Sequence, residues 1–375
     1  EYQPLGVAAV IAPWNDPVNL SFAPLIPALA AGNAVVLKPS ELAPASAALI
    51  ADIVDGLADP ALAVVTGGVA ETTELLEQRF DHILYTGGGR VGRIVMQAAA
   101  EHLTPVTLEL GGKSPALISR QADIDLAARR LAWGKFVNAG QTCIAPDYVM
   151  VERPVHDRLV EAMAAEIEGF YGPDPRQSPD FARIVSPSHF HRLEKLLDSG
   201  TVAIGGQTDV DDRYIAPTIL TGVGLEDPVM DEEIFGPVLP VLAVDSLGEA
   251  VEIVNTRDKP LALYVFTEDD DEVAEVLGAT SSGGVTVNAT LIHFASPNLP
   301  FGGVGESGMG AYHGRFGFDT FSHRRAVHEQ STRFDVPLLY PPYTEGKTRW
   351  LRRALKLGDP VDGLAKVKQR LLGRR

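Results

Sequence analysis

Residues 82–110 constrain the fold more than any other stretch of this chain. His82-Ile83-Leu84-Tyr85 reads as a strand, and Gly87-Gly88-Gly89 interrupt it. Val91, Ile94, Val95, Ala98 and Ala99 then fall at helical spacing, and 106–110 turns extended again. That is one βαβ unit. The same alternation runs ahead of it, with extended segments at 7–12, 34–37 and 63–65 and helices near 18–31 and 41–57. Strands alternating with helices predict an α/β fold with a doubly wound parallel sheet.

Downstream, Gly111-Gly112 break the pattern, and Asp123 or Asp125 is placed to cap a helix through Ala127, Leu131 and Phe136. An Asn138-Ala139-Gly140 turn leads to Cys143, ahead of a strand at 148–152. Helices near 155–170 and 188–198 flank a Pro-rich loop at 172–179, and α/β alternation continues to about 290. The Gly/Pro-dense stretch 300–317 reads as an ordered loop, and 337–344 as the end of the compact body.

With 375 residues and 45% hydrophobic content, the chain can build two domains with separate cores. Its one cysteine cannot form an internal disulfide, which points to a reducing compartment and a cytoplasmic protein. No run approaches the roughly 18 apolar residues of a membrane span. The first residues lack a signal-peptide pattern and run from Glu1 straight into a strand, so a shortened amino terminus is expected. Residues 346–375 hold ten Lys or Arg against Asp359 and Asp362, so this tail carries +8 and the rest −25 of a total of −17. A body that acidic repels phosphates, and no nucleic-acid function is expected. The tail interleaves its basic residues with Trp350, Leu351, Leu355, Leu357 and Leu364. That pattern fits an amphipathic helix on an anionic membrane surface, or equally a solvated or partner-packed terminal helix.

Gly87-Gly88-Gly89-Arg90-Val91-Gly92 matches the Gly-x-Gly-x-x-Gly dinucleotide fingerprint between a strand and a helix, a weak signal alone. The fingerprint wants an acidic ribose ligand about 20 residues on. Glu109 lies 17 after Gly92 but is followed at once by the Gly111-Gly112 turn, so its role stays open. Gly112-Lys113-Ser114 imitates the end of a P-loop, yet Thr107 stands where that motif needs Gly. Lys38-Pro39-Ser40-Glu41 would suit ribose hydroxyls or a 2′-phosphate, although taken alone it reads better as a capped helix start with Lys38 in solvent. One Cys, nine scattered His and no His-Glu-x-x-His predict no metal site. A Gly-x-Ser-x-Gly elbow is absent as well. A lone Cys is more often a buried small hydrophobe than a nucleophile.

Several separated segments change that balance. Pro13-Trp14-Asn15, Lys38-Pro39-Ser40-Glu41, the run from Leu108-Glu109-Leu110 to Ser114-Pro115, Gly140-Gln141-Thr142-Cys143 and Glu232-Glu233-Ile234-Phe235-Gly236-Pro237 together resemble the aldehyde dehydrogenase superfamily, in that family's order. The segment from Tyr214 to Leu220, Lys259-Pro260-Leu261 and the glycine-rich run from Pro300 to Gly310 narrow the resemblance to the class 3 or fatty-aldehyde branch. It covers residues 4 to about 343.

The resemblance implies a Rossmann-type cofactor domain at 1–108, without the segment that precedes it in family members, and an α/β catalytic domain at 109–309. A bridging and oligomerisation segment at 310–343 and the basic amphipathic tail at 344–375 follow. It implies a Cys143 nucleophile, an oxyanion hole from the Asn15 amide and the Cys143 N–H, and Glu109 as general base for a water. Cofactor contacts would come from Trp14, Lys38, Ser40, Glu41, Thr86, Gly87, Gly88, Gly89, Arg90, Val91, Gly92, Leu110, Glu233 and Phe235. Glu41 would take the ribose, with Glu233 and Phe235 at the nicotinamide end. Gly88 replaces the family's usual Ser or Asn, and Arg90 nearby would favour a 2′-phosphate, so NAD and NADP both stand. Asp16 replaces a commonly aromatic residue, which implies a more polar substrate approach. The implied reaction converts medium- or long-chain or aromatic aldehydes to carboxylic acids in a homodimer, in the cytoplasm or membrane-associated through 346–375. The alternatives are a CoA-acylating dehydrogenase, which Glu109 argues against, and a folded but incomplete fragment that only binds.

Overall fold

The structure is a computed structural model and describes residues 1–333 and 335–356. The chain divides into two compact units, Tyr2–Arg325 and Glu1 with the residues from Ala326 onward. The larger unit therefore ends before the 337–344 stretch that the sequence suggested. Its strands are numbered β1 to β17 in chain order.

Six strands form one sheet in the order β16-β6-β5-β2-β3-β4. They are β2 (Val7–Ile11), β3 (Ala34–Lys38), β4 (Leu62–Val64), β5 (His82–Gly87), β6 (Val106–Leu110) and β16 (Gly308–Met309). All pair in parallel except β16, which runs antiparallel to β6. Ala8, Ala9 and Val10 of β2 are completely buried, as a parallel strand covered on both faces requires. From β2 the chain winds outward to β3 and β4, then returns to β5 on the other side of β2 and goes on to β6. The direction of winding switches between β2 and β5. In open α/β sheets ligands bind in the crevice at the carboxyl ends of the strands at such a point. Here those ends lead into Pro13-Trp14-Asn15 and into Gly87-Gly88-Gly89.

A second sheet has the order β15-β14-β7-β8-β13-β12-β9. Its strands are β7 (Pro115–Ile118), β8 (Tyr148–Glu152), β9 (Thr201–Ile204), β12 (Thr218–Thr221), β13 (Val238–Val244), β14 (Ala262–Phe266) and β15 (Gly284–Val287), and only β9 is antiparallel. The helix Ile124–Phe136 packs its buried Ala127, Ala128, Leu131 and Ala132 into the core of this sheet, and Asp123 rather than Asp125 caps it by accepting from the Leu126 N–H (3.1 Å). Short antiparallel ribbons join β1 (Tyr2–Pro4) to β17 (Ser322–Arg324) and β10 (Thr208–Asp209) to β11 (Tyr214–Ile215).

Three expectations change. The second helix begins at Pro44, because the Ser40 hydroxyl accepts from the Leu42 N–H (3.3 Å) and turns the chain first. Lys38 lies out of solvent, 2% exposed, with its ammonium on the Pro39 carbonyl (2.9 Å) and 3.6 Å from Glu41. The 300–317 stretch contains β16 and the first turn of the helix Gly314–Thr320. In the smaller unit the Tyr340 hydroxyl donates to Asp335 (3.1 Å) and the helix Glu345–Lys356 follows. No helix among the described residues is long and apolar enough to cross a membrane. The expected amphipathic tail from 357 on lies outside the described residues.

Candidate active site

Cys143 sits on a loop with little freedom to move. Asn138, Ala139 and Gly140 take left-handed backbone conformations in succession (φ 54, 52 and 72). A Cβ on Gly140 would stand 2.3 Å from the Gly236 carbonyl oxygen, so only glycine lets the two segments approach. Buried Gln141 bonds the Asn138 and Arg183 carbonyls (3.0 Å each) and accepts from the Val185 N–H (2.9 Å). The Tyr264 hydroxyl donates to the Ile144 carbonyl at 2.5 Å.

Two cavities meet at this thiol. The first, about 550 Å³, occupies the crevice between β2 and β5 and is lined by Pro13, Trp14, Asn15, Thr86, Gly87, Gly88, Gly89 and Arg90, with Glu109, Leu110, Gly111, Cys143, Glu233 and Phe235 around its floor. The second, about 320 Å³, is lined by Asn15, Asp16, Leu20, Val137, Asn138, Thr142, Cys143, Ile144, Leu291 and Phe294. Among the described residues, Asn15 and Cys143 alone line both. The Asn15 carbonyl accepts from the Asn138 amide (2.9 Å), which fixes Asn15 beside the nucleophile loop.

Burial raises the Cys143 thiol above its ordinary range, and the carboxyls of Glu233 and Glu109 push the same way. The N–H groups of Cys143 and Ile144 oppose them, and the rise prevails. Positive charge or a base brought to the thiol favours its ionised, nucleophilic form. Glu109, near the end of β6, is 2% exposed and neither carboxyl oxygen has a hydrogen-bond partner. Burial alone drives its pKa well above the ordinary carboxylate value.

The first cavity fits a dinucleotide. The helix Gly89–Ala100 starts without a side-chain cap at Gly88, leaving its first N–H groups for an anion. A Cβ on Gly88 would meet nothing within 4 Å, so that position opens onto the cavity. Trp14 and Phe235 stand edge to face (5.4 Å) at the other end, and Phe235 holds a strained φ of 50. Lys38, Ser40, Glu41, Val91 and Gly92 are not part of the lining. Gly92 instead packs against Leu110, where a Cβ would come within 2.8 Å.

His189, Arg93 and Arg192 also line this cavity, and no sequence motif marked them. His189 stacks edge-on to Trp14 (5.5 Å), and Arg192 holds the turn before Gly236 through the Ile234 carbonyl (2.6 Å). The buried Lys113–Asp147 pair (2.5 Å) was equally invisible, since nothing in its spacing announces burial. Among the described residues no group of three or more His, Cys, Asp or Glu is arranged to hold a metal ion.

The aldehyde dehydrogenase family profile matches residues 1–327. The dimeric NADP-preferring aldehyde dehydrogenase of Mus musculus is 53% identical over 343 residues, 91% of this chain and 76% of that protein. Aldehyde dehydrogenase family 3 member B1 of Homo sapiens is 51% identical over 357 residues, 94% of this chain and 76% of that protein. Among solved structures, the substrate-bound state of Staphylococcus aureus AldH superposes with a TM-score of 0.91 at 46% identity, covering 95% of this chain and 78% of that one. A Mycobacterium tuberculosis aldehyde dehydrogenase complexed with NAD+ gives 0.79 at 31%, covering 86% and 69%.

Proposed function

The chain belongs to the aldehyde dehydrogenase family, and we propose that Cys143, Asn15 and Glu109 carry its NAD(P)-dependent oxidation of an aldehyde to a carboxylic acid. One observation carries the assignment of roles: Cys143 and Asn15 form the wall between the two cavities, and an unpartnered Glu109 carboxyl borders the larger one. Cys143 gives up its thiol proton to water in the open cavity and adds as thiolate to the aldehyde carbon that arrives through the smaller cavity. The carbonyl oxygen takes the negative charge, and the Asn15 amide and Cys143 N–H donate to it as it develops. Thr86, Gly87, Gly88, Gly89, Leu110, Glu233 and Phe235 would hold NAD or NADP in the larger cavity, where it would supply the hydride acceptor that lets Cys143 carry the acyl group as a thioester. Glu109 in its ionised form then takes a proton from a water, the water oxygen replaces sulfur on the acyl carbon, the sulfur leaves as thiolate, and the carboxylic acid departs.

The apolar side of the smaller cavity, from Leu20, Val137, Ile144, Leu291 and Phe294, supports medium- or long-chain or aromatic aldehydes, while Asn15, Asp16, Asn138 and Thr142 form its polar side. Glu41 and Lys38, near the carboxyl end of β3, are assigned to the adenosine ribose. The Mus musculus relative is named as a dimeric enzyme, which supports a homodimer here. A cytoplasmic site rests on the single cysteine, and contact with a membrane surface on the basic charge of 346–375. The deciding experiment follows reduced nicotinamide from the full chain, a medium-chain aldehyde and NAD or NADP, beside Cys143→Ser. Turnover that vanishes in the variant is expected. Turnover that survives in it overturns the assignment of the nucleophile.

A further inference from the structure

Arg93 lines the larger cavity, yet nothing in the reaction above uses it. It sits on the helix Gly89–Ala100, one helical turn beyond Gly89. Helical side chains lean toward the amino terminus, so a residue at this position covers the first turn of its own helix. One terminal guanidinium nitrogen, Nη1, stands 3.3 Å from where a Cβ on Gly89 would be. The other, Nη2, donates to Glu306 Oε2. The guanidinium therefore hangs over the Gly87-Gly88-Gly89 turn, the part of the cavity that the dinucleotide fingerprint gives to the two phosphates.

The two partners are held with unequal firmness. Glu306 belongs to a closed turn, in which the Gly308 N–H donates to the Gly305 carbonyl (3.2 Å), the Val304 N–H to the Ser307 hydroxyl (2.9 Å), and that hydroxyl to the Val304 carbonyl (3.0 Å). β16 then fastens this turn to β6 by pairing Gly308 with Glu109. Glu306 thus borders a neighbouring polar cavity of about 430 Å³ from a fixed backbone. Arg93 has only its own flexible stem behind it, and the pair lies open to water, 61% exposed on its side and 54% on that of Glu306. So exposed an ion pair contributes little and exchanges readily.

A dinucleotide diphosphate carries two negative charges, and a guanidinium meets phosphate oxygens with parallel donors in a way that an exposed carboxylate in water does not outmatch. We propose that Arg93 is a cofactor ligand held in reserve: it pairs with Glu306 in the free protein and turns its guanidinium onto the diphosphate when NAD or NADP binds, with Glu306 as the competing anion. The inference rests on the placement of the cofactor phosphates at the Gly87-Gly88-Gly89 turn. It gives the two arginines of this helix different tasks, since Arg90 is the residue that suits a 2′-phosphate.

The test titrates the full chain with NADH and with NADPH, followed by fluorescence, for wild type, Arg93→Gln, Glu306→Gln, the double variant and Gly88→Asp. Arg93→Gln is expected to weaken both dinucleotides by the same factor, about tenfold, because both carry the diphosphate. Glu306→Gln is expected to bind both about threefold more tightly, because the competing carboxylate is gone. In the double variant that gain should vanish. A pair that only braces the fold predicts the opposite pattern, with both single variants shifted in the same direction, and that result overturns the proposal. Arg93→Gln with wild-type affinity overturns it too. A loss confined to NADPH would move Arg93 to the 2′-phosphate and also count against it. Gly88→Asp checks the premise, since a Cβ there meets nothing within 4 Å and the added carboxylate would face the phosphates. It is expected to lose at least about tenfold in affinity for both dinucleotides. If Gly88→Asp binds as wild type does, the phosphates lie elsewhere and the placement of the cofactor fails before the role of Arg93.

Discussion

Glu109 shows how one side chain trades stability for chemistry. Its carboxyl is raised by burial, so the folded protein keeps a proton that the unfolded chain gives up near the ordinary value. The stability this confers is full below that ordinary value and is lost as pH climbs through the raised one. Glu109→Gln never ionises, so its Tm is expected to exceed that of wild type by a margin that widens toward alkaline pH. The same variant should lose about 10²- to 10⁴-fold in steady-state turnover, the usual contribution of a positioned base. A first burst of about one reduced dinucleotide per chain should remain, because attack by Cys143 precedes the step Glu109 serves. A stopped-flow trace without the burst would refute that division of labour. In the sequence Glu109 admitted two roles, since its spacing from the glycine turn suits a ribose ligand nearly as well as a base. What separates them physically is burial without a partner in the cavity that also holds Cys143, and burial depends on distant strands.

Among the turns, Gly111 and Gly140 look alike in sequence and differ in what surrounds them. At Gly140 a Cβ meets backbone oxygen and the φ is left-handed, so a side chain strains the fold itself. At Gly111 the obstacle is only the end of the Glu233 side chain, which can swing away. Gly111→Ala should therefore leave Tm nearly unchanged while raising the cofactor KM about tenfold or more, given that a displacement of about 1 Å can cost 10²-fold. A matching fall in Tm would mean that the turn, and not the carboxyl, had been disturbed. The βαβ unit at 82–110 was readable because each strand is a clean apolar run and the glycines mark the turn between them. β16 was not, because two residues in a glycine-rich stretch become a strand only by pairing with β6, some 200 positions earlier. The Lys113–Asp147 pair is hidden for a related reason. Charged residues read as surface until tertiary packing encloses them.

For the whole molecule the informative feature is where charge and cavities lie along the chain. The switch in winding between β2 and β5 makes one crevice, the loop before β8 brings a thiol to its floor, and the smaller cavity reaches that thiol past Leu291 and Phe294. The described lining of both cavities lies within Tyr2–Arg325, while residues 346–375 carry +8 against −25 in the rest. The described part of that segment, the helix Glu345–Lys356, sets Lys347, Arg349, Arg352 and Arg353 among Trp350, Leu351 and Leu355. Basic residues near an anionic bilayer contribute about 1 kcal/mol each, and salt screens that attraction within about 10 Å at 0.1 M. An acidic body is repelled by the same surface, so any attraction must come from the tail. The full chain is therefore expected to sediment with anionic vesicles at low salt, to be released as salt rises, and to ignore zwitterionic vesicles. A chain ending at residue 345 should remain in the supernatant throughout while keeping its dehydrogenase turnover. Equal sedimentation of the two chains would remove the tail from any membrane role and leave its charge to a protein partner or to solvent.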